Sequence, residues 1–247
     1  MLTPLFLLPR SCGIILLQRQ FGYVKKIRQF AASAIFSPGL WSLVMSKSNK
    51  WEDHYTRRAR QEKWLARSVY KLEEIDRKYK LIRQGGRILD LGCYPGSWSQ
   101  YCISKAAPGG EVVGVDLREP ENLRSEGFRF IKADVLSLDI EWLFGEIGRR
   151  DVVLSDLAPS TSGIAVADVS RSLELARRAL AIGLSVLRKK GHFLCKVFEG
   201  EGAQDLRREI SSRFDQMRIV RPSAVRKASR EMYFLGLSMV DPSGNEE

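Results

Sequence analysis

The stretch Arg87-Ile-Leu-Asp-Leu-Gly-Cys-Tyr-Pro-Gly-Ser-Trp-Ser99 carries an apolar strand into a glycine turn. Gly92 and Gly96 leave no side chain between that backbone and a ligand. A second apolar run, residues 111–115, ends in Asp116, 24 residues after Gly92. This puts a carboxylate at the tip of the next strand, where a ribose would lie. The spacing Gly92-x-x-x-Gly96 lacks the third glycine of a dinucleotide fingerprint, and no Lys-Ser or Lys-Thr follows as a phosphate loop requires. An adenosyl cofactor without phosphates fits better, namely S-adenosylmethionine. A glycine turn can also be purely structural, but Asp90, Gly92, Gly96 and Asp116 share one pattern, which favours the cofactor. Asp134, after the short apolar run 128–131, reads equally as a carboxylate offered toward the adenine or as a capping aspartate.

Working outward, 247 residues with 44% hydrophobic content allow one sizeable α/β core plus extensions, and are too few for two ordinary catalytic domains. A net charge of +11 and a pI near 9.7 point to a polyanionic partner, since clustered Lys and Arg release counterions from phosphates. Residues 1–44 hold five basic residues (Arg10, Arg19, Lys25, Lys26, Arg28) and no acidic one, so the remainder is still basic at +6. That segment reads either as a transit segment or as translated sequence ahead of a start at Met45, and its apolar runs are too short to span a membrane. The expected compartment is the cytoplasm, or the mitochondrial matrix if residues 1–44 are a transit segment. The four cysteines include no C-x-x-C pair, which suits a reducing compartment. With only His54 and His192 available, a metal centre is not expected. His192, inside an apolar strand, reads as a structural imidazole.

Residues 45–64 form a basic, aromatic arm that is expected to contact RNA. Trp51, His54, Tyr55 and Trp64 lie among its cations, an arrangement that favours stacking on unpaired RNA bases over packing an amphipathic helix on the core. A helix should follow, with Leu65, Val69, Leu72 and Ile75 as its apolar stripe and Lys71 beside it. Beyond Asp134, helix and strand alternate: helix 140–147, strand Asp151-Val-Val-Leu-Ser155, helix 169–188, strand 191–198, helix 203–214, an extended piece 217–220 and a closing strand 231–239. Alternation of this kind predicts a mostly parallel sheet with helices on both faces and ligands beyond the carboxyl ends of the strands. The short basic loop 221–230 has no room for a crossover helix, so the last two strands should pair antiparallel. Residues 65–240 then make the catalytic domain, and 241–247 a flexible tail.

Four motifs in order, Asp90-Leu-Gly-x-x-Pro-Gly-x-Trp-Ser-Gln100, Ser155-Asp-x-Ala-Pro-x-x-Ser-Gly163, Lys196-Val-Phe-x-Gly-Glu-Gly202 and Ser229-Arg-Glu-x-Tyr233, give the chain from about Trp51 to Met239 its resemblance. It resembles the FtsJ-type ribosomal RNA 2′-O-methyltransferases, in particular the large-subunit methyltransferase E family. The resemblance implies a Rossmann-like, S-adenosylmethionine-dependent fold with a mostly parallel seven-stranded sheet and an antiparallel last strand. It also implies a Lys-Asp-Lys-Glu tetrad on Lys71, Asp156, Lys196 and Glu231, and cofactor contacts from Gly96, Trp98, Asp116, Asp134 and Asp156. The implied substrate is a uridine ribose in large-subunit ribosomal RNA, and the implied partner is that RNA or its subunit, met by a monomer. The chain departs from the commoner family loop at Cys93-Tyr94 and Ser97, where small residues are usual.

Residue chemistry alone leaves Lys71 and Glu231 as ordinary surface charges. Lys196 differs, because a lysine between Cys195 and Val197 in an apolar strand needs a carboxylate or a cleft. Methyl transfer to a hydroxyl needs alignment and the management of one proton, tasks that Lys196 and Asp156 suit. The rival readings are 2′-O-methylation of a transfer RNA or a cap, a non-catalytic RNA-binding assembly factor, and a NAD-dependent oxidoreductase.

Overall fold

The computed structural model describes residues 50–160, 162–226 and 228–240, with side chains from residue 54 onward. The extension before Met45, the tail 241–247 and the Trp51 side chain lie outside the described residues. The described chain runs α1 (Lys50–Gln61), α2 (Val69–Tyr79), β1 (Arg87–Leu91), α3 (Ser97–Ala106), β2 (Glu111–Asp116) and β3 (Phe128–Lys132). It continues through α4 (Ile140–Ile147), β4 (Arg150–Ser155), α5 (Ala165–Val186), β5 (Leu187–Phe198), α6 (Ala203–Ser211), β6 (Phe214–Val220) and β7 (Glu231–Met239).

The strands form one sheet in the order β3-β2-β1-β4-β5-β7-β6. Strands β1 to β5 pair in parallel, whereas β7 pairs antiparallel with both β5 and β6. A central strand covered on both faces is buried along its length, and β4 is buried at every position, with Val152, Val153 and Leu154 as its apolar middle and the charges of Arg150 and Asp151 paired to Glu111 and Arg83. One apolar layer, under α2 and α3, contains Leu72, Ile75, Ile88, Trp98, Leu154, Leu194 and Tyr233. The other, under α4 to α6, contains Leu89, Leu143, Leu180, Phe193, Cys195, Leu206 and Phe234. Alternate residues of β5 therefore feed opposite layers, as the pleat requires. Strand order reverses between β1 and β4, and the crevice at their carboxyl ends is the place for a ligand.

Helix α2 has Val69, Tyr70, Leu72, Ile75 and Asp76 on its buried side. Asp76 is buried yet satisfied, accepting from the Ile82 amide (2.9 Å) and the Tyr101 hydroxyl (2.9 Å). Leu65 lies before the helix, its amide held by the Gln100 side chain (3.0 Å). Helix α4 starts where expected because the Asp139 carboxylate caps the amides of Glu141 and Trp142.

The junction of α5 and β5 departs from the sequence pattern. The helix starts four residues sooner than expected, at Ala165, and stops at Val186, and the strand begins at once with Leu187 paired to Arg150. The register then shifts, so that His192 pairs with Val152, and Lys190 takes up the slack with φ 66°. The exposed Arg188-Lys189-Lys190 run hides this part of the strand from any apolar periodicity. Helix α6 likewise ends at Ser211, and Phe214 already belongs to β6, packed against Phe193 with ring centroids 6.2 Å apart. His192 is a structural imidazole, its Nδ1 accepting from the Ser238 amide at 3.1 Å.

Candidate active site

The insertion of β7 beside β5 assembles the site. In the antiparallel register Lys196 lies opposite Tyr233, and Phe198 opposite Glu231. Directly opposed residues share a face of the sheet, as do residues two apart, so Lys196, Tyr233 and Glu231 all project into the α2 side. Asp156 follows the last residue of β4, where Ser155 pairs with Cys195, and Lys71 comes across from α2.

These side chains form one hydrogen-bonded row. Lys71 Nζ donates to Glu231 Oε1 at 2.5 Å, and Lys196 Nζ donates to the Asp156 carbonyl (2.5 Å) and carboxylate (3.0 Å). The Tyr233 hydroxyl joins the two pairs, 2.8 Å from Asp156 Oδ1 and 2.7 Å from Glu231 Oε1. All four tetrad candidates are thus brought together. Tyr233, quoted in a motif but given no role from sequence, is the link between them. An aromatic in an apolar strand reads as core, and only its register with Lys196 marks it out.

Burial works against the charge on Asp156, yet the Lys196 and Lys71 charges and the hydrogen bonds from Tyr233 and Lys196 outweigh it and hold the carboxyl below its ordinary value. Burial, with the charges of Asp156 and Glu231, pushes the Tyr233 phenol well above its ordinary value, so it stays a neutral donor.

The row reaches a cleft at each end. On one side, a cleft of about 520 Å³ is lined by Arg67, Ser68, Lys71, Ala224, Arg226, Ala228, Ser229 and Glu231. It is mainly basic, and Nη1 of Arg67 is buried there with no hydrogen-bond partner. The basic 221–230 loop forms one wall and is docked on α2, with Arg67 donating to the Ala224 carbonyl (2.9 Å) and Glu74 accepting from Ser223.

On the other side, a cleft of about 630 Å³ is lined by Gly92, Tyr94, Asp116, Asp134 and Asp156, with Leu117, Val135, Leu136, Leu157 and Pro159 among its apolar walls. Its carboxylates Asp116, Asp134, Asp156 and Glu174 face a single cation, Arg171. That balance repels a diphosphate and suits a cationic ligand with hydroxyls. Asp116 accepts the Tyr94 amide on one oxygen and the Arg118 amide on the other, each at 3.0 Å, which fixes the carboxylate and leaves lone pairs for a diol. Asp134 accepts the Leu136 amide (3.0 Å) in a turn, while Asp139 is the residue that caps α4.

Gly92 sits at φ 78°, and a Cβ there would lie 2.7 Å from Leu157 Cδ2. Gly96 (φ 110°) is closed off instead by Leu65, Pro120 and Leu123, so the close approach it permits is apolar packing. The Trp98 indole is buried, donates to the Ser68 carbonyl (2.9 Å) and packs near Tyr233. Neither residue lines the acidic cleft.

The family model described as FtsJ-like methyltransferase matches residues 64–239, which contain both clefts and the whole row between them. The chain belongs to this family. A Bdellovibrio bacteriovorus protein named ribosomal RNA large subunit methyltransferase E is 45% identical over 189 residues, covering 75% of this chain and 96% of that one. A Methanothermobacter thermautotrophicus protein of the same name is 40% identical over 192 residues, covering 77% and 91%. A crystal structure described as a ribosomal RNA methyltransferase from Plasmodium falciparum superposes with a TM-score of 0.64 at 24% identity, covering 72% and 99%; it attests the fold. For this FtsJ-like chain, membership settles methyl transfer over hydride transfer. Among the described residues no helix is long and apolar enough to cross a membrane.

The arm that leads into the FtsJ-like match uses its aromatics inward. Tyr55 lies tilted against Tyr70 (5.3 Å between centroids), and Trp64 packs by Tyr101 (6.1 Å), so both rings face the core. Packing on the core accounts for both rings, and the exposed His54, Arg57, Arg60 and Lys63 are what α1 and its end present outward.

Beneath the glycine loop, Asp90 is fully buried; one oxygen takes the Ser99 hydroxyl (2.7 Å) and Oδ1 has no partner. Burial first, then the charges of Asp156 and Asp116, push its carboxyl up to about 7 against the lowering effect of Ser99. A carboxyl raised in this way favours folding below its unfolded value and loses that contribution as pH rises through the folded value. Asp90→Asn should therefore gain stability relative to the parent between about pH 4 and 7, on the order of 4 kcal/mol across that window. Urea denaturation of both proteins at stepped pH measures the difference, and a pH-independent difference would contradict it.

Proposed function

We propose that the chain methylates the ribose 2′-hydroxyl of a uridine in large-subunit, 23S-type ribosomal RNA, using S-adenosylmethionine. The observation that carries this reading is the single hydrogen-bonded row Lys71-Glu231-Tyr233-Asp156-Lys196, with an acidic cleft at one end and a basic cleft at the other. The relatives' name, ribosomal RNA large subunit methyltransferase E, supports the substrate class.

In this reading the acidic cleft holds the donor. Asp116 accepts the ribose hydroxyls, Asp134 or its turn faces the adenine, the Gly92 backbone allows close approach, and Asp156 faces the methionine end. Gly96 and Trp98 act through the backbone of the turn they shape. When bound, the donor would supply a methyl group on a sulfonium, a carbon open to in-line attack by an aligned oxygen, with a neutral thioether as the leaving group.

The chain's own residues provide the alignment. Lys196 spends two N–H groups on Asp156, which directs the remaining face of its Nζ at the acceptor oxygen. There it turns a lone pair of O2′ toward the methyl group, and the hydroxyl proton, which an ammonium has no lone pair to accept, is lost from the oxygen to solvent as the new O–C bond forms. Lys71 and Glu231 hold the other side of the ribose, and Tyr233 ties their positions to Asp156. Arg67 and Arg226 offer charge to the flanking phosphates, and the cytoplasm is the expected compartment.

Labelled methyl donor and large ribosomal subunits lacking the modification test the proposal. Label should enter one uridine as an alkali-resistant 2′-O-methyl group, and a 2′-deoxy nucleotide at that position should abolish it. Label in a base, or only in transfer RNA or a cap, would overturn the reading. Binding of subunits without transfer would favour an assembly factor.

A further inference from the structure

Two amides grip Asp116, and the side chains of the same two residues grip each other. Tyr94 and Arg118 each donate an amide to one oxygen of the carboxylate. Above it the Arg118 guanidinium lies 4.1 Å from the centroid of the Tyr94 ring. This contact joins the loop after β1 to the loop after β2, beside the acidic cleft that Tyr94, Asp116 and Leu117 line. Tyr94 is 40% exposed and Arg118 is exposed, so neither side chain is spent on the core. The cation has a packing partner on the ring face, which holds the ring in one place.

We propose that Tyr94 and Arg118 form a clasp that sets affinity for the methyl donor by walling in its ribose and keeping Asp116 oriented to receive the diol. The inference rests on the reading that the acidic cleft binds an adenosyl donor. Its physical basis is pre-organisation: two loops tied together before binding lose less freedom when the ligand arrives. The ring also keeps water from the hydroxyl–carboxylate bonds, and hydrogen bonds in a drier setting are stronger. Tyr94 and Arg118 are positioning residues, since Asp116 makes the contact.

Titration calorimetry with S-adenosylhomocysteine as the probe tests the clasp. Tyr94→Ala should weaken binding about tenfold, while Tyr94→Phe, which keeps the ring, should stay within about twofold of the parent. Arg118→Met, a surface change that leaves the fold alone, should weaken binding about threefold when Tyr94 is present and not at all in the Tyr94→Ala background. Rescue by phenylalanine and loss of the Arg118 effect are readouts that a general loosening of the loop would not produce.

Undiminished affinity in Tyr94→Ala, or a full Arg118→Met effect without Tyr94, would overturn the clasp. Undiminished affinity together with weakened retention of ribosomal RNA would reassign Tyr94 as a stacking platform for a base. If the unaltered protein fails to bind S-adenosylhomocysteine, the donor reading itself falls, a result distinct from failure of the clasp alone.

Discussion

Lys196→Met is expected to slow single-turnover methyl transfer by about a thousandfold, while affinity for S-adenosylhomocysteine stays within about threefold of the parent. Methionine keeps the unbranched stem in the apolar layer, so packing around Leu194 and Tyr233 changes little. What disappears is the ammonium that donates twice to Asp156 and that, in the proposed function, faces the acceptor oxygen. Asp156 keeps the Tyr233 hydroxyl at 2.8 Å and the charge of Lys71 nearby, so it does not become a wholly unpaired buried charge. Rapid-quench measurement with saturating donor separates the chemical step from binding. A rate within tenfold of the parent would remove Lys196 from the chemistry.

Gly92→Ala should destabilise the protein by about 1–3 kcal/mol and cut the transfer rate about a hundredfold. The left-handed φ alone strains an alanine, and its Cβ would also press on Leu157, the residue next to Asp156. Leu157 must then move, and Asp156 moves with it. Gly109 is the matched control, because its φ is +82° but a Cβ there meets nothing within 4 Å. Gly109→Ala should lose about 1 kcal/mol of stability and keep its rate. Thermal unfolding and single-turnover kinetics on the two variants separate strain from displacement; an unchanged rate in Gly92→Ala would show that the β4–α5 turn does not position Asp156.

The acidic cleft was legible because its signals are local. An apolar strand ending at Gly92, and another ending at Asp116, describe the crevice within thirty residues of chain. The row of charged side chains depends on the pairing of β5 with β7, and no local pattern states which strand lies beside which. For that reason Lys71 and Glu231 look like surface charges when read singly, and it took the motif resemblance to draw them together.

Tyr233 shows the limit most clearly. Its hydrophobic neighbours disguise a hydroxyl set within hydrogen-bond reach of two carboxylates, with one proton to offer between them. Tyr55 and Trp64 show the reverse, since their setting among cations masks a packing role. The Arg188-Lys189-Lys190 run misled for another reason: a strand bulge exposes charged residues where helical continuation was the simpler reading.

The place of β7 between β5 and β6 also makes the row sensitive to register: Tyr233 and Glu231 stand opposite Lys196 and Phe198 in one antiparallel alignment. A slip of a single residue would turn both side chains to the other face of the sheet and leave Lys71 and Lys196 without their link.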